Sequence, residues 1–194
     1  RQRQMCIRDS TYAGATSVTG GILRLNGGAA ILDSAALTVT APGLLRLGAS
    51  ETIGSLAGGG DVDLQAYALT VGGSATTVFS GAMSGSGGML VKSGSGDLTL
   101  SAANTFSGGT TVNAGFLRLG SATALGDGQI TMNGGTLSSD STTARSVGNA
   151  YSFGGAVTLG DTVKSGALTF SGVGTLTANT TLTTQSSVSL GLSL

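Results

Sequence analysis

The sequence lacks several of the residues on which catalytic and metal sites depend. It contains no histidine and no tryptophan, and it has only one cysteine and one proline among 194 residues. Without histidine, neither a Ser-His-Asp triad nor a Cys-His pair can form, and zinc loses one of its two commonest ligands. Charged residues make up 9% of the chain, which excludes the highly charged composition of ordinary disordered proteins.

The residues that are present favour an all-β fold. The chain has 35 glycines and a hydrophobic share of 40%. Threonine and valine suit pleated, half-buried surfaces, and glycine allows the sharp corners between short strands. A single proline leaves the strand ladders with their N–H donors. No apolar run approaches the roughly 18–20 residues of a membrane-spanning helix, so no transmembrane segment is predicted.

The first ten residues, RQRQMCIRDS, differ from the rest of the chain. They hold the only cysteine, three of the nine basic residues and one of the nine acidic residues. The stretch MCIRDS resembles a translated sequencing adapter, so residues 1–10 are predicted to be an artefact; the alternative is a short basic or disordered arm. Residues 11–194 then carry six basic and eight acidic residues, a net charge of −2, and no cysteine. This composition predicts neither disulfides nor nucleic-acid binding.

Short runs with strand composition recur between glycine-rich breaks. Three of them contain a Leu-Arg-Leu triplet, centred on Arg24, Arg46 and Arg118. Because side chains alternate along a strand, both leucines of a triplet should face the core and the arginine should face solvent. Arg24 and Arg46 are 22 residues apart, a plausible length for one coil. The predicted strands cover residues 22–25, 37–39, 44–47, 62–64, 69–71, 90–92, 98–100, 110–112, 116–119, 129–132, 168–170, 181–183 and 188–190.

The chain also repeats itself over a long distance. Residues 11–25 and 105–119 are identical at eight positions, at an offset of 94 residues. Two architectures fit such a chain: an antiparallel sandwich or barrel, with hairpin turns at the NGG sequences 26–28 and 133–135, and a parallel β-solenoid. Internal repetition favours the solenoid, because each coil then packs against near-copies of itself. At roughly 20–25 residues per coil, residues 11–194 would form about eight coils.

One stretch resembles a known repeat. Residues 87–120 read GGMLVKSGSGDLTLSAANTFSGGTTVNAGFLRLG, which is similar to the autotransporter-associated β-strand repeat. Residues 11–25 resemble the second half of an earlier copy, but Ala15 stands where the pattern has a second glycine, so that turn should be looser. The matching positions are Gly88, Leu90, Lys92, Gly94, Gly96, Leu98, Leu100, Ser101, Asn104, Thr105, Phe106, Gly108, Gly109, Thr110, Val112, Gly115, Leu117 and Leu119.

The resemblance implies a right-handed parallel β-helix, a β-solenoid, in the passenger of a Gram-negative autotransporter. Such passengers use type V secretion and form stalks at the cell surface or outer membrane, or are secreted, and they can act as adhesins. The repeat implies a role in passenger folding and secretion and carries no catalytic residue. The implied partners are the passenger's own C-terminal outer-membrane barrel and a host-surface or carbohydrate ligand. Because residues 187–194 read as a strand, the sequence is expected to be an internal fragment without that barrel.

The alternative functions are a carbohydrate-active β-helix, such as a polysaccharide lyase or hydrolase, and an adhesin of another β-solenoid family. The enzyme would need paired carboxylates, and Asp61 and Asp63 lie two apart and hence on one strand face. Their stretch, GGGDVDL, also approaches a calcium-binding nonapeptide, but Asp61 replaces the glycine at its fourth position. We expect both acids to complete a polar turn, and we predict no catalytic, cofactor or metal site.

The other conspicuous side chains have structural interpretations. Asn104 and Asn113 are expected to complete turns or side-chain ladders, and Lys92 is expected to be a solvated charge at a strand edge. Without histidine, no switch near neutral pH is expected. Four aromatic residues are expected to stack inside coils rather than bind sugars: Tyr12, Phe106, Phe116 and Phe170.

Overall fold

The computed structural model describes residues 14–177 and 179–192; the predicted artefact at residues 1–10 and Tyr12 lie outside this part. The described residues form 22 strands and no helix, and every strand pairing is parallel. The predicted all-β solenoid is therefore confirmed. The strands are β1 Thr16–Val18, β2 Ile22–Leu25, β3 Ala36–Val39, β4 Leu44–Leu47, β5 Glu51–Ile53, β6 Ser55–Ala57, β7 Asp61–Asp63, β8 Ala68–Val71, β9 Thr77–Phe79, β10 Met83–Ser84, β11 Met89–Lys92, β12 Asp97–Leu100, β13 Gly109–Val112, β14 Phe116–Leu119, β15 Ile130–Met132, β16 Thr136–Ser139, β17 Arg145–Val147, β18 Tyr151–Phe153, β19 Ala156–Leu159, β20 Leu168–Leu176, β21 Thr181–Thr184 and β22 Val188–Leu192.

Successive strands pass through three faces and then begin the next coil. Face 1 holds β1, β3 and β6, followed by β9, β12, β14, β16, β19 and β21, with a bridge from Gly58 to Phe79 joining the two groups. Face 2 begins with β2, β4, β7 and β10, and face 3 holds β5, β8, β11, β13, β15 and β18. Paired residues in adjacent coils are between 17 positions apart (Leu44 to Asp61) and 25 positions apart (Ala156 to Thr181). The stack makes about eight turns, as predicted, although some coils are shorter than expected.

In-register stacking places like side chains on top of one another. On face 1, Leu98, Leu117, Leu137 and Leu159 occupy neighbouring coils and are fully buried. Burying each leucine contributes roughly 1.5–3 kcal/mol, which fixes the register of the strands. All thirteen predicted strands overlap observed strands, and seven of the other nine have only two or three residues.

Face 2 is interrupted in the middle of the stack. After β10, residues 104–106 take the place of a strand, and the Thr105 N–H donates to the Met83 carbonyl at 2.9 Å. Residues 124–126 follow in the next coil, and β17 then resumes the face. β20 runs through the following corner without a break, pairing with β17 on face 2 and with β18 on face 3. At this bend, Gly174 leaves room for the Tyr151 ring, since a Cβ would lie 2.0 Å from Cζ.

The two NGG sequences are corners of the solenoid. Residues 133–135 connect β15 on face 3 to β16 on face 1, and residues 26–28 follow β2 on face 2. Neither joins two strands of an antiparallel pair, because the flanking strands belong to different faces. The hairpin interpretation is therefore wrong, and with it the antiparallel sandwich.

Candidate functional site

The stretch that carries the repeat pattern forms β11 to β14 and is distinguished by polar side chains in buried positions. Along the described part of the chain, no buried side-chain nitrogen or oxygen lacks a hydrogen-bond partner. Several of these buried polar groups bond to another coil of the stack. The buried polar residues of this stretch are Lys92, Thr99, Asn104, Thr110 and Arg118.

Lys92 lies in the core and not at a solvated edge. It is paired in register with Val71 and Val112, and it is 1% exposed. Its Nζ donates to the carbonyl of Gly94 and, at 3.5 Å, to that of Ala114 in the next coil. Burial lowers the pKa of Lys92, against the opposing charge of Asp97. The solvated-edge prediction is wrong, and the signal that could have corrected it is the two-residue spacing from Leu90, which places both side chains on one strand face.

Asn104 joins three coils at the interruption of face 2. Its Oδ1 accepts the Met83 N–H at 2.7 Å, and its Nδ2 donates to the Ala124 carbonyl at 2.6 Å. The side-chain amide therefore makes the bonds that a strand backbone would make elsewhere on this face. Asn113 accepts a bond of 2.9 Å from the Nδ2 of Asn133, one coil later. The predicted roles of Asn104 and Asn113 in turns and ladders are confirmed.

Arg118 points away from the core of face 1, yet it is only 8% exposed. Its Nη2 donates to Asp97 Oδ2 at 3.0 Å, and its Nη1 donates to Ser138 Oγ at 3.1 Å and to Asp161 Oδ2 at 2.6 Å. The guanidinium carbon also lies 4.6 Å from the centroid of the Phe116 ring. Arg118 was predicted to face solvent and Phe116 to stack inside a coil. The outward direction of Arg118 is confirmed, but its exposure to solvent and the stacking of Phe116 inside a coil are wrong, because the two side chains pack together on the outer side of face 1.

A segment far along the chain explains the burial of Arg118. Residues 160–167, which we call the strap, follow β19 and pack against the outer side of face 1. Asp161 Oδ1 accepts the N–H groups of Val163 at 2.7 Å and Lys164 at 3.1 Å, and the Gly166 N–H donates to the Ser141 carbonyl at 3.0 Å. The hydrogen bond from Arg118, assisted by these N–H groups, lowers the pKa of Asp161 to about 2. Asp161 therefore stays ionised and holds the strap to Arg118.

The acidic pair considered for catalysis or calcium has other partners. Asp61 Oδ1 accepts the Ala82 N–H at 3.0 Å. Asp63 Oδ2 accepts the Nε of Arg46 at 2.9 Å, and its Oδ1 accepts the Gln65 N–H at 3.1 Å. The polar-turn interpretation is confirmed for Asp63, which bonds to Gln65 two residues later, whereas Asp61 lies in β7 and bonds to the next coil. No group of three acidic, histidine or cysteine side chains within residues 14–177 and 179–192 could hold a metal ion.

Two of the four aromatic predictions are confirmed. Phe106 is fully buried, and Phe170 is 1% exposed. Phe170 packs against Tyr151 and Phe153, with ring centroids 5.1 and 5.6 Å away. These rings fill the core where β20 runs through the corner.

Comparison with known families identifies the repeated stretches. A family model described as the passenger-associated-transport-repeat matches residues 9–25 and 90–119. Two stretches of the chain are therefore similar to the passenger-associated transport repeat. Together with the β-solenoid, they fit an autotransporter passenger with β repeats, and they imply a secreted or surface-exposed protein. No curated protein and no solved structure matches the chain.

The transport repeat is a structural repeat and not a known enzyme family. Its polar residues Lys92, Asn104 and Arg118 each bond to a neighbouring coil. Across the described ranges, the structure contains no helix able to cross a membrane.

The two repeat copies occupy different faces of the solenoid. In the first copy, β1 lies on face 1 and β2 on face 2, whereas the equivalent β13 and β14 lie on faces 3 and 1. The repeat therefore encodes a strand, a corner and a strand, but not a particular face. Gly109 has a φ of 100°, whereas the described non-glycine residues with positive φ are Gln65 and Asn179. Ala15 thus adopts a different backbone conformation from Gly109, and the looser turn there stays a prediction.

Proposed function

We propose that the chain is a structural shaft segment of an autotransporter passenger, exported by type V secretion and displayed at the bacterial outer surface. The observation that carries this proposal is the continuous stack of coils, in which buried rows such as Leu98, Leu117, Leu137 and Leu159 run from coil to coil. Such a stack lengthens by adding coils, each of which contacts its neighbours. The match to the passenger repeat supports the assignment to a passenger.

The polar contacts of the repeat support a role in ordered folding. Lys92 bonds to Ala114, Asn104 to Ala124, and Arg118 to Ser138 and Asp161, all in later coils. These buried groups are fully satisfied only after the following coils are in place, and an unsatisfied buried group costs roughly 1–3 kcal/mol. Each coil therefore favours the addition of the next, which suits a chain that folds as it emerges from the outer-membrane translocator of the same protein.

The proposed role is structural and not catalytic. Asp61 and Asp63, the acids considered for carbohydrate chemistry, are engaged by Ala82, Arg46 and Gln65. Adhesion to a host surface or a carbohydrate is a further proposal, which would place the ligand on exposed corners of the solenoid.

A deletion of one coil tests the shaft. Leu69 and Leu90 are partners in adjacent coils, so deleting residues 69–89 brings Leu90 to the position of Leu69 and shortens the stack by about 4.8 Å. We expect this variant to keep its β-sheet circular dichroism and cooperative unfolding. It should also be displayed normally when fused to a type V translocator, as measured by protease accessibility on intact cells.

The matched control is a deletion of residues 69–78, which puts every later strand on the wrong face. We expect this variant to be degraded or retained in the periplasm. Equal surface display of the two deletion variants would refute the proposed structural role, because the register of the coils would then be irrelevant to display. Loss of display in the full-coil deletion, with its fold intact, would show that the removed coil has a specific function.

A further inference from the structure

The two NGG sequences form a natural experiment within one chain. Asn26 and Asn133 are each followed by two glycines, so in the unfolded chain their local chemistry is nearly the same. In the folded chain their surroundings differ at two points: the space around the following glycine and the hydrogen bond that the asparagine side chain makes.

The first difference is space at the glycine. A Cβ on Gly27 would meet no atom within 4 Å, whereas a Cβ on Gly134 would lie 2.7 Å from the Asn113 carbonyl oxygen. Gly27 is exposed and Gly134 is buried between coils. Gly27 is therefore not enclosed by a neighbouring coil, whereas Gly134 is packed against the carbonyls of Asn113 and Ala156 in the coils on either side.

The second difference is the hydrogen bonding of the asparagine side chains. Asn26 Oδ1 accepts a bond of 2.9 Å from the Nε of Arg24, which is exposed. Asn133 instead donates its Nδ2 to Asn113 Oδ1 at 2.9 Å. A cationic donor on the oxygen stabilises negative charge that develops there. The bond to Asn113 holds the Asn133 side chain against the preceding coil.

We propose that Asn26 is a site of spontaneous deamidation in the folded protein and that Asn133 is protected from the same reaction by the coil stack. The co-reactants are hydroxide and water. Hydroxide removes the proton of the Gly27 backbone N–H, and the nitrogen forms a bond to Asn26 Cγ, with the oxyanion facing Arg24. The Cγ–Nδ2 bond breaks, and ammonia leaves with a proton from water. Water then opens the cyclic imide at either carbonyl, giving aspartate or isoaspartate, and nothing is oxidised or reduced.

The modification would change the first described coils. Isoaspartate inserts a methylene group into the main chain at the corner after β2. Ala30 and Ile31 follow this corner, are each 1% exposed, and donate their N–H groups to the Glu51 carboxylate at 3.1 and 3.0 Å. A longer corner displaces these contacts, so the modified protein should show faster amide exchange in residues 26–35.

The test is incubation of the folded chain at mildly alkaline pH, followed by peptide mapping with mass spectrometry and isoaspartate detection. We expect conversion at Asn26 to be faster than at Asn133 by about tenfold or more, because reaction at Asn133 requires local opening. In concentrated urea the two rates should become equal. Equal rates in the folded chain, a faster reaction at Asn133, or a ratio that persists in urea would each overturn the proposal.

Two variants separate the contributions of the neighbouring side chains. Arg24→Gln should slow conversion at Asn26 by about two- to fivefold, the range of an exposed charge interaction. Asn113→Ala should accelerate conversion at Asn133 and leave Asn26 unchanged. Arg145→Gln is the matched control, since Arg145 is paired with Asp140 and lies in a distant coil. An unchanged rate at Asn26 in Arg24→Gln would overturn the part assigned to the guanidinium.

Discussion

The two copies of the transport repeat share their Leu-Arg-Leu endings, but their arginines have opposite environments. Arg24 is exposed and stands in register with another arginine, Arg46. Arg118 is 8% exposed and bonds to two carboxylates. Both arginines point outward from their strands, as local alternation requires. What differs is the strap of residues 160–167, whose Asp161 bonds to Arg118 of the second copy. Local sequence thus sets the direction in which a side chain points, while a distant segment determines whether the side chain is exposed to solvent or buried.

Arg46 gives an intermediate case of the same triplet. Its side chain is 36% exposed and its Nε lies 2.9 Å from Asp63 Oδ2. The arginines of the three Leu-Arg-Leu triplets therefore lie in three different environments: solvent, a half-exposed ion pair and a buried hydrogen-bond network. If this ranking is correct, the effect of removing each arginine should follow its burial and not its sequence context.

The largest difference is expected between Arg118→Ala and Arg24→Ala. Removing Arg118 leaves Asp97 and Asp161 without their cation, and breaking a buried charge pair costs about 3 kcal/mol. Removing Arg24 should change the free energy of unfolding by less than about 0.5 kcal/mol, as is usual for surface positions. Urea titration monitored by circular dichroism measures both values, with Arg46→Ala expected between them. A similar loss for Arg24→Ala and Arg118→Ala would contradict the ranking.

A second prediction uses acid to weaken the strap. The pKa of Asp161 is lowered from 3.8 to about 2, so the folded state favours the ionised carboxylate. The resulting stability is fully present above the unfolded pKa and is lost as pH falls through the folded pKa. At neutral pH it amounts to about 2 kcal/mol. Asp161→Asn should therefore be less stable than the wild type by about this amount at pH 7.

The difference between wild type and Asp161→Asn should shrink as the pH falls below 4 and vanish near pH 2, as the pKa of Asp161 requires. Denaturant titrations of both proteins over this range provide the measurement. Glu51, whose pKa is raised by burial, is present in both proteins and cancels in the difference. A gap that stays constant with pH would mean that the charge of Asp161 does not hold the strap.

Sequence reasoning recovered the elements whose signal is local. Alternating leucines predicted strands such as β4 and β14, and internal repetition predicted the solenoid. Strands such as β18, which reads Tyr-Ser-Phe, were missed because three residues give too little alternation. The environments of Arg118 and Phe116 were missed because they depend on Asp161 and the strap, 43 residues beyond Arg118. Contacts between distant residues leave no periodic trace in either segment.

Lys92 is the exception, because the local alternation of its strand already indicates that its side chain is buried. Its replacement is expected to have the smallest effect on the free energy of unfolding. Replacing Lys92 by methionine keeps the length of the side chain and removes a charge from a row that contains Val71 and Val112. Replacing buried charges by apolar groups of similar volume is often neutral or stabilising. We therefore expect Lys92→Met to raise the free energy of unfolding at pH 7 by about 1 kcal/mol. Lys164→Met, on the strap, is the control and should leave it unchanged.

The pH dependence sharpens this prediction. The pKa of Lys92 is lowered by burial, so the folded state favours the neutral amine. The wild type should gain stability as the pH rises from the lowered pKa toward the unfolded value of about 10.4. Lys92→Met should lose that gain, so the two stability curves should converge at alkaline pH. If Lys92→Met is instead destabilised at every pH, the bonds to Gly94 and Ala114 outweigh the cost of burying the charge, and Lys92 fastens the coils as Arg118 does.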